Sequence, residues 1–314
     1  MYGRYFVLFA ILFTGWFLRK INFIDDKMNR SMNKLIVYFA YPCLIVHNIG
    51  TLKLSSELLA EFAIVFLLSI GTMYLNAFLS YVYAKARKFP ADVSNVAELS
   101  MVSPNDGFMG FPVSLIFFGE KGMLLMLAHN AALNVYLFTV GTRLLARNNT
   151  KDKRPLIQTV TRAVFKFLLN PNILALFIGF ALSLLGGLLP GVVDEYLVYI
   201  GNVSTPMAMI FIGSSLVAVN LKDVVSNRVV VESSVMKLIT LPAITLGIMW
   251  LLPVSPIIKS IVTLGNALPV AATASMLAEQ ENQSAITSSM ILVLSTIASA
   301  ATIPLLINGI GAVF

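Results

Sequence analysis

Two apolar segments of this 314-residue chain are interrupted by helix-breaking residues that carry hydrogen-bonding side chains. The first interruption covers residues 105–113, with the sequence NDGFMGFPV, and the second covers residues 264–270, with the sequence LGNALPV. Proline lacks an N–H and glycine leaves helical geometry cheaply, so both stretches predict unwound backbone with free helix ends. Two positive N-terminal ends beside Asn105 and Asn266 would suit a carboxylate or a related anion.

Asp106 is the ionisable residue of these interruptions. If the segments span a bilayer, an ionised carboxylate there is disfavoured by roughly 2.5–3.5 kcal/mol, so it usually faces a cavity, a partner or a proton pathway. Three roles follow for Asp106: a proton carrier, a sodium ligand together with unwound carbonyl groups, or a structural cap on a half-helix. His129 could relay protons or meet an anion, and the alternative is a core histidine bonded to a neighbouring helix.

The predicted substrate-binding residues lie in or beside the two interruptions, or one helical turn from His129. They are Ser103, Asn105, Asp106, Gly107, Gly110, Pro112, Asn134, Asn266, Leu268 and Pro269. We predict that Asp106 and His129 bind the coupling ion, and we expect no metal and no cofactor. The alternative for the interruptions themselves is a pair of proline kinks that only bend two packed helices.

Composition indicates a membrane protein. Hydrophobic residues make up 58% of the chain and charged residues 12%, which is far more apolar than a soluble domain. Runs of roughly 20 apolar residues bounded by charge predict ten spans, of which the fourth and ninth are broken. They cover residues 2–21, 32–52, 57–84, 94–118, 122–145, 168–188, 194–219, 229–252, 256–280 and 284–308.

Basic residues favour one orientation. The 22 lysines and arginines lie in or beside the loops that follow odd-numbered spans, with four exceptions, which are Arg4, Lys53, Lys121 and Lys259. The positive-inside rule therefore predicts cytoplasmic odd loops and two extracytoplasmic termini, in a multi-pass protein of the plasma membrane. The net charge of +7 is explained by this asymmetry, so we expect no nucleic-acid partner.

An internal repeat is indicated by spacing. Gly15 precedes Pro42 by the same 27 residues that separate Gly179 from Pro206, and a shift of 157 residues places Pro112 on Pro269. Five spans per half is an odd number, so the second half would enter the membrane from the opposite side. We therefore predict an all-α polytopic membrane protein of ten transmembrane helices as two inverted five-helix repeats, residues 1–145 and 167–314. A basic cytoplasmic loop, 146–166, joins them.

These motifs carry a family resemblance. Residues 105–112 resemble the Asn-x-Gly-Phe-x-Gly-x-Pro crossover of the auxin efflux carrier family, which includes plant carriers and bacterial dicarboxylate permeases. Residues 267–269 followed by 277–280 are similar to its span 9 counterpart, and 170–172 to its Asn-Pro-Asn entry to the second half. Asp106 departs from the neutral residue of many relatives, and the large soluble loop of long plant members is absent.

The resemblance implies a fold and an activity. Spans 4 and 9 cross at the binding site, and spans 1, 2, 6 and 7 form a scaffold, often dimeric. A bundle of spans 3–5 and 8–10 moves against this scaffold and carries organic anions. We therefore predict a secondary transporter of small organic anions, of the auxin-like or dicarboxylate kind, that works as a homodimer by an elevator mechanism, with the proton as the favoured coupling ion.

Other activities remain as alternatives or are disfavoured. The alternatives are a sodium-coupled symporter of organic anions and a membrane ligand sensor or channel on the same scaffold. The sequence contains no Gly-x-Ser-x-Gly elbow, no His-Glu-x-x-His pair and no Walker loop. An enzyme and an ATP-driven pump are therefore not expected.

Overall fold

The computed structural model describes residues 2–52, 55–147, 161, 165, 168–186, 189–281 and 283–314. These residues are almost entirely helical, and one isolated antiparallel bridge joins Pro104 to Val270. Helices stand at the positions of all ten predicted spans, so the span numbers are kept below. The predicted basic loop lies outside the described residues, apart from residues 146, 147, 161 and 165.

The first half contains two uninterrupted helices, spans 1 and 3, two helices with π-helical turns, spans 2 and 5, and a broken span 4. In chain order these are span 1 (Tyr2–Lys20), span 2 (Asp26–Leu35, the π turn Ile36–Ala40 and Tyr41–Gly50), span 3 (Ser56–Ala86), half-helix 4a (Ala91–Val102) and half-helix 4b, which starts with the π turn Asp106–Gly110. The helix Phe111–Tyr136 then bends at Gly119, where φ is 67°, and this bend separates 4b from span 5. Span 5 continues through the π turn Leu137–Gly141 into Thr142–Ala146.

The second half follows the same order. Its helices are span 6 (Pro171–Leu184), span 7 (Gly191–Ser215), a connecting helix (Leu221–Ser226), span 8 (Arg228–Val235, the π turn Met236–Thr240 and Leu241–Leu251), half-helix 9a (Pro256–Ala267), half-helix 9b (Ala272–Gln280) and span 10 (Ala285–Val313). Asn170 caps span 6, because its side chain accepts the N–H of Asn172 at 2.9 Å while Pro171 fills the first turn. The Asn-Pro-Asn motif is therefore a helix start.

Five described helices are long and apolar enough to cross a membrane. They are Ser56–Ala86, Asp106–Leu145, Gly191–Ser215, Arg228–Leu251 and Ala285–Val313. Large apolar side chains on the outer surface, such as Phe78 and Leu184, are more than half exposed, and hydrocarbon rather than water suits such a surface. The chain is thus an all-helical membrane protein, whereas ten crossings and an inverted repeat stay predictions.

Spans 1, 2, 6 and 7 pack against one another. Span 1 lies so close to span 7 that a Cβ atom on Gly15 would stand 2.2 Å from the carbonyl oxygen of Ile210. A Cβ atom on Gly213 would likewise stand 1.8 Å from that of Leu12. Glycine is therefore required on both sides of this contact, since two backbones meet there without intervening side chains.

Spans 3, 4, 5, 8, 9 and 10 form a second packed group. It meets the first group mainly where half-helix 4b touches span 7 and span 2. Aromatic rings fill this contact: the Phe108 and Phe211 rings lie 5.0 Å apart between centroids, and Tyr41 meets Phe111 edge to face at 5.4 Å. The two groups are thus joined at this point by apolar side chains.

Candidate functional site

The chain crosses itself where spans 4 and 9 are interrupted. Backbone of residues 103–105 runs antiparallel to residues 268–271, and Pro104 pairs with Val270. The Asn105 N–H donates to the Pro269 carbonyl at 2.8 Å, and the Ala271 N–H donates to the Ser103 carbonyl at 2.9 Å. Each interruption thus supplies hydrogen-bond partners for backbone N–H and C=O groups of the other. This pairing explains how non-helical backbone persists inside a membrane protein.

The interruption of span 4 lies one helical turn earlier than the sequence predicts. Helix 4b has already begun at Asp106, so Gly107, Gly110 and Pro112 are helical rather than unwound, and Gly265 likewise lies within 9a. Pro112 is absorbed by the π turn before it, in which the Phe111 N–H bonds to the Asp106 carbonyl five residues back. A wider turn removes the clash between a proline ring and the carbonyl four residues earlier.

The same device recurs in two other spans. Pro42 and Pro242 also lie two residues after a π turn. The helix therefore continues through the proline at these three positions. The prolines at the two interruptions are Pro104 and Pro269, which are 165 residues apart. This spacing is close to the 164 residues that separate Gly15 from Gly179, so it fits the predicted repeat better than the shift of 157 based on Pro112.

Asp106 and His129 form a fully buried pair beside the crossing. The Asp106 Oδ2 atom lies 2.8 Å from His129 Nδ1, and both side chains have 0% exposure. The second carboxylate oxygen, Oδ1, and the second ring nitrogen, Nε2, have no hydrogen-bond partner among the described residues. Two unpaired polar atoms in a buried position indicate a place where a proton, an ion or a ligand group binds.

Gly265 sets the position of the imidazole. A Cβ atom on this residue would lie 2.4 Å from His129 Nε2 and 2.6 Å from its Cδ2. The ring therefore lies flat against the backbone of 9a, and any larger residue would displace it. Gly265, predicted to unwind the backbone, instead makes room for a side chain of span 5.

Lys237 is a third buried charge that the sequence analysis missed. It had been counted with the basic loop flanks, but it lies within the π turn of span 8 and is 1% exposed. Its Nζ donates to the backbone carbonyl of Asn266 at 3.1 Å, next to Gly265, against which the His129 ring lies. A lysine eight residues inside a predicted apolar span was the available signal.

Asn266 links the crossing to span 3. Its Nδ2 donates to Val262 O at 2.9 Å and to Thr72 Oγ1 at 3.2 Å, while its Oδ1 accepts from Asn76 Nδ2 at 2.8 Å. All of these side chains are buried. Thr72 and Asn76 were also missed, although polar residues four apart in a long apolar helix mark one helical face.

Most of the other predicted site residues lie near the crossing. Asn105 caps half-helix 4b by accepting the N–H of Phe108, and Ser103 donates to the Leu99 carbonyl at 2.7 Å. Leu268 packs against Gly110, where a Cβ atom would meet its Cδ1 at 2.8 Å. Asn134 stands apart, because its described hydrogen bonds go to Asn130 of its own helix.

Two further ionisable residues, His47 and Glu98, have partners away from the crossing, and a third, Glu279, is exposed. His47 Nδ1 lies 2.6 Å from the Asp194 carboxylate, which links span 2 to span 7. Glu98 of 4a is buried and accepts two hydrogen bonds from Arg147, at 2.9 and 3.1 Å. Glu279 is exposed near the end of 9b. The described contacts of His47 and Glu98 bring neither residue to the crossing.

Comparison with known proteins agrees with this architecture. A family model described as "Membrane transport protein" matches residues 2–307. An uncharacterized transporter of Methanothermobacter thermautotrophicus is 22% identical over 296 residues, covering 94% of each chain. An uncharacterized transporter of Methanocaldococcus jannaschii is 22% identical over 269 residues, covering 84% of each. The predicted resemblance is confirmed, and the chain belongs to the membrane transport protein family, the group related to the auxin efflux carriers.

Proposed function

We propose that this membrane transporter is a secondary carrier of small organic anions that couples carboxylate movement to protons. The observation that carries the proposal is the buried Asp106–His129 pair, with one unpaired polar atom on each side chain, beside backbone that crosses within the helical bundle. Paired interruptions of two membrane helices are typical of substrate sites in secondary transporters.

The two half-helix N-termini at the crossing are not equivalent. Half-helix 4b is capped by Asn105 and carries Asp106 in its first turn, so its positive end is already occupied. Half-helix 9b begins at Ala272 without a side-chain cap, and Thr273 in its first turn is exposed. We assign the substrate carboxylate to the N–H groups and hydroxyl at the start of 9b, because free N–H groups at a helix N-terminus bind anions.

A proton suits the buried pair better than sodium. Sodium takes several oxygen ligands, whereas the described partner of the Asp106 carboxylate is an imidazole nitrogen. An imidazole changes charge near neutral pH and can pass a proton to a carboxylate at hydrogen-bond distance. We therefore place the coupling proton on the pair formed by Asp106 and His129.

The packing of the spans supports an elevator movement. The group of spans 3–5 and 8–10 contains the crossing, and spans 1, 2, 6 and 7 form the surface against which it would move. Sliding of the aromatic contact between Phe108 and Phe211 breaks no hydrogen bond there, whereas the bond that Tyr5 of span 1 donates to the Ser299 carbonyl of span 10 must break during the movement. We assign the scaffold role, and the contact between two copies in a homodimer, to spans 1, 2, 6 and 7. Both termini face outward in the plasma membrane.

Counterflow in proteoliposomes tests the assignment of a carrier. Vesicles containing the purified protein are loaded with unlabelled benzoate, indole-3-acetate or succinate, and uptake of the same labelled compound is followed. A carrier gives saturable uptake that internal unlabelled compound accelerates. Conductance without saturation would show a channel, and binding without uptake would show a sensor.

Asn266→Ala is the variant that connects this activity to the crossing. It removes the described side-chain bonds to span 3 and is expected to slow counterflow strongly. Asn227→Ala is a matched control, since Asn227 only caps span 8. Equal activity of the two variants would contradict the placement of the site.

A further inference from the structure

Lys237 is the buried charge that the proposed coupling does not use. It lies in the π turn Met236–Thr240 of span 8, and π turns often occur at functional sites. An ammonium group has three donors, and one of them reaches the Asn266 carbonyl at 3.1 Å. A lysine in the middle of a membrane helix is retained where it pairs with another group or lines an ion or substrate path.

Lys237 and Asp106 are side chains of opposite charge, and each lies at one end of a half-helix. Asn266 is the penultimate residue of 9a, so its carbonyl belongs to the negative C-terminal end of that helix. Asp106 is the first residue of 4b and lies at a positive N-terminal end. Each group therefore sits at the helix end of opposite sign. The Asn266 carbonyl that Lys237 binds is next to Gly265, and Gly265 lies against the His129 ring that contacts Asp106.

We propose that Lys237 is the internal counter-ion of Asp106 and that His129 takes one coupling proton for each monovalent carboxylate carried. This inference rests on the proposed transport function. With Asp106 negative, Lys237 positive and His129 neutral, the empty cluster has no net charge. A bound monocarboxylate makes the charge negative, and a proton on His129 returns it to zero.

Neutrality in both states lets the bundle cross the membrane either empty or loaded. A net charge at bilayer depth would cost about 2.5–3.5 kcal/mol on the insertion scale. The charged side chains near His129 belong to two elements at the crossing, half-helix 4b and span 8. Asp106 comes from 4b and Lys237 from span 8, while 9a presents the uncharged Gly265 to the ring.

The pairing is tested first, without substrate, by melting temperatures in detergent. Asp106→Asn and Lys237→Met each leave one buried charge alone, and each is expected to lower the melting temperature by roughly 5–10 °C. The double variant removes both charges and is expected to recover most of that loss. Lys259→Met, at a half-buried lysine whose Nζ reaches the Trp250 carbonyl at 3.5 Å, is the control and should melt with the wild type. A double variant that loses the sum of the two shifts would overturn the pairing.

The proton count is tested next in proteoliposomes with an internal pH dye and labelled benzoate. The wild type is expected to take up one proton per benzoate, and His129→Gln to take up none. Lys237→Met should need a more acidic medium than Lys259→Met to reach the same rate of benzoate uptake. Without the lysine, the substrate-free cluster of Asp106 and His129 already carries a negative charge. An unchanged proton count in His129→Gln would overturn the assignment of the proton. If the wild type carries neither benzoate nor succinate, the proposed function and the proton count both fail, while the melting temperatures still decide the pairing.

Discussion

Gly265→Ala is expected to destroy the Asp106–His129 pair by steric force alone. The added methyl group would lie 2.4–2.6 Å from three atoms of the His129 ring, one of which is Nε2. The ring has no exposed surface, and its Nδ1 atom is held by the Asp106 carboxylate. It must therefore turn away, and its 2.8 Å contact with Asp106 is lost.

The cost of this substitution follows from two effects. Forcing a methyl group into a packed interior costs about 1–3 kcal/mol. Leaving the Asp106 carboxylate without its hydrogen bond from His129 costs about 1.5–3 kcal/mol. Alanine returns up to about 1 kcal/mol through its higher helix propensity. The balance is a loss of about 1.5 kcal/mol or more, which corresponds to a fall in melting temperature of roughly 3 °C or more.

Gly107→Ala and Gly71→Ala are matched controls for the assay. A Cβ atom on either residue meets nothing within 4 Å, and both glycines are helical. Both variants are therefore expected to melt at or slightly above the wild-type temperature in detergent, and Gly71→Ala is expected to retain pH-dependent counterflow. If Gly265→Ala melts with these controls and keeps the pH dependence of transport, the imidazole does not depend on that glycine and the reasoning is refuted.

Two further predictions concern the crossing and its surroundings. Pro104→Ala and Pro269→Ala each introduce a buried N–H at the crossing, which costs about 1–3 kcal/mol if it finds no acceptor, so counterflow should slow roughly tenfold. Pro253→Ala, in an exposed turn, is expected to transport like the wild type, and equal rates in all three variants would argue for simple kinks. Arg147→Met removes the cation and two of the three hydrogen bonds of the buried Glu98 carboxylate, leaving the bond from Ser94, and should lower the melting temperature by roughly 5 °C. Adding Glu98→Gln should recover most of this loss, and no recovery would show that the arginine acts through packing.

The sequence predicted the interruptions because glycine and proline act on the local backbone. Their exact place was wrong for span 4, because a proline can be absorbed by a π turn whose formation depends on the surrounding helices. Pro112 illustrates this, since its helix continues, whereas Pro104 lies in extended backbone that pairs with Val270. Local chemistry thus predicts that a helix is disturbed, and tertiary contacts decide where it ends.

The buried polar partners could not be predicted from the sequence, because they depend on contacts between distant residues. Asp106 and His129 were identified individually as titratable residues, but their contact joins residues 23 positions apart across a bend at Gly119. Lys237 was taken as a loop charge because it stands near the start of an apolar segment. Asn266 contacts Asn76 across 190 residues of sequence, and no local pattern contains that information.

Uptake of labelled benzoate driven by a pH gradient, compared between the wild type and Asp106→Asn in proteoliposomes, tests the central claim most directly. The wild type is expected to accumulate benzoate when the outside is acidic and to lose that accumulation when the gradient is collapsed. In Asp106→Asn the positive charge of Lys237 balances the benzoate carboxylate, so no coupling proton is required. Benzoate exchange by this variant is therefore expected to be independent of the pH gradient, with a protein yield like that of the wild type. Accumulation by Asp106→Asn that follows the gradient as in the wild type would contradict the account.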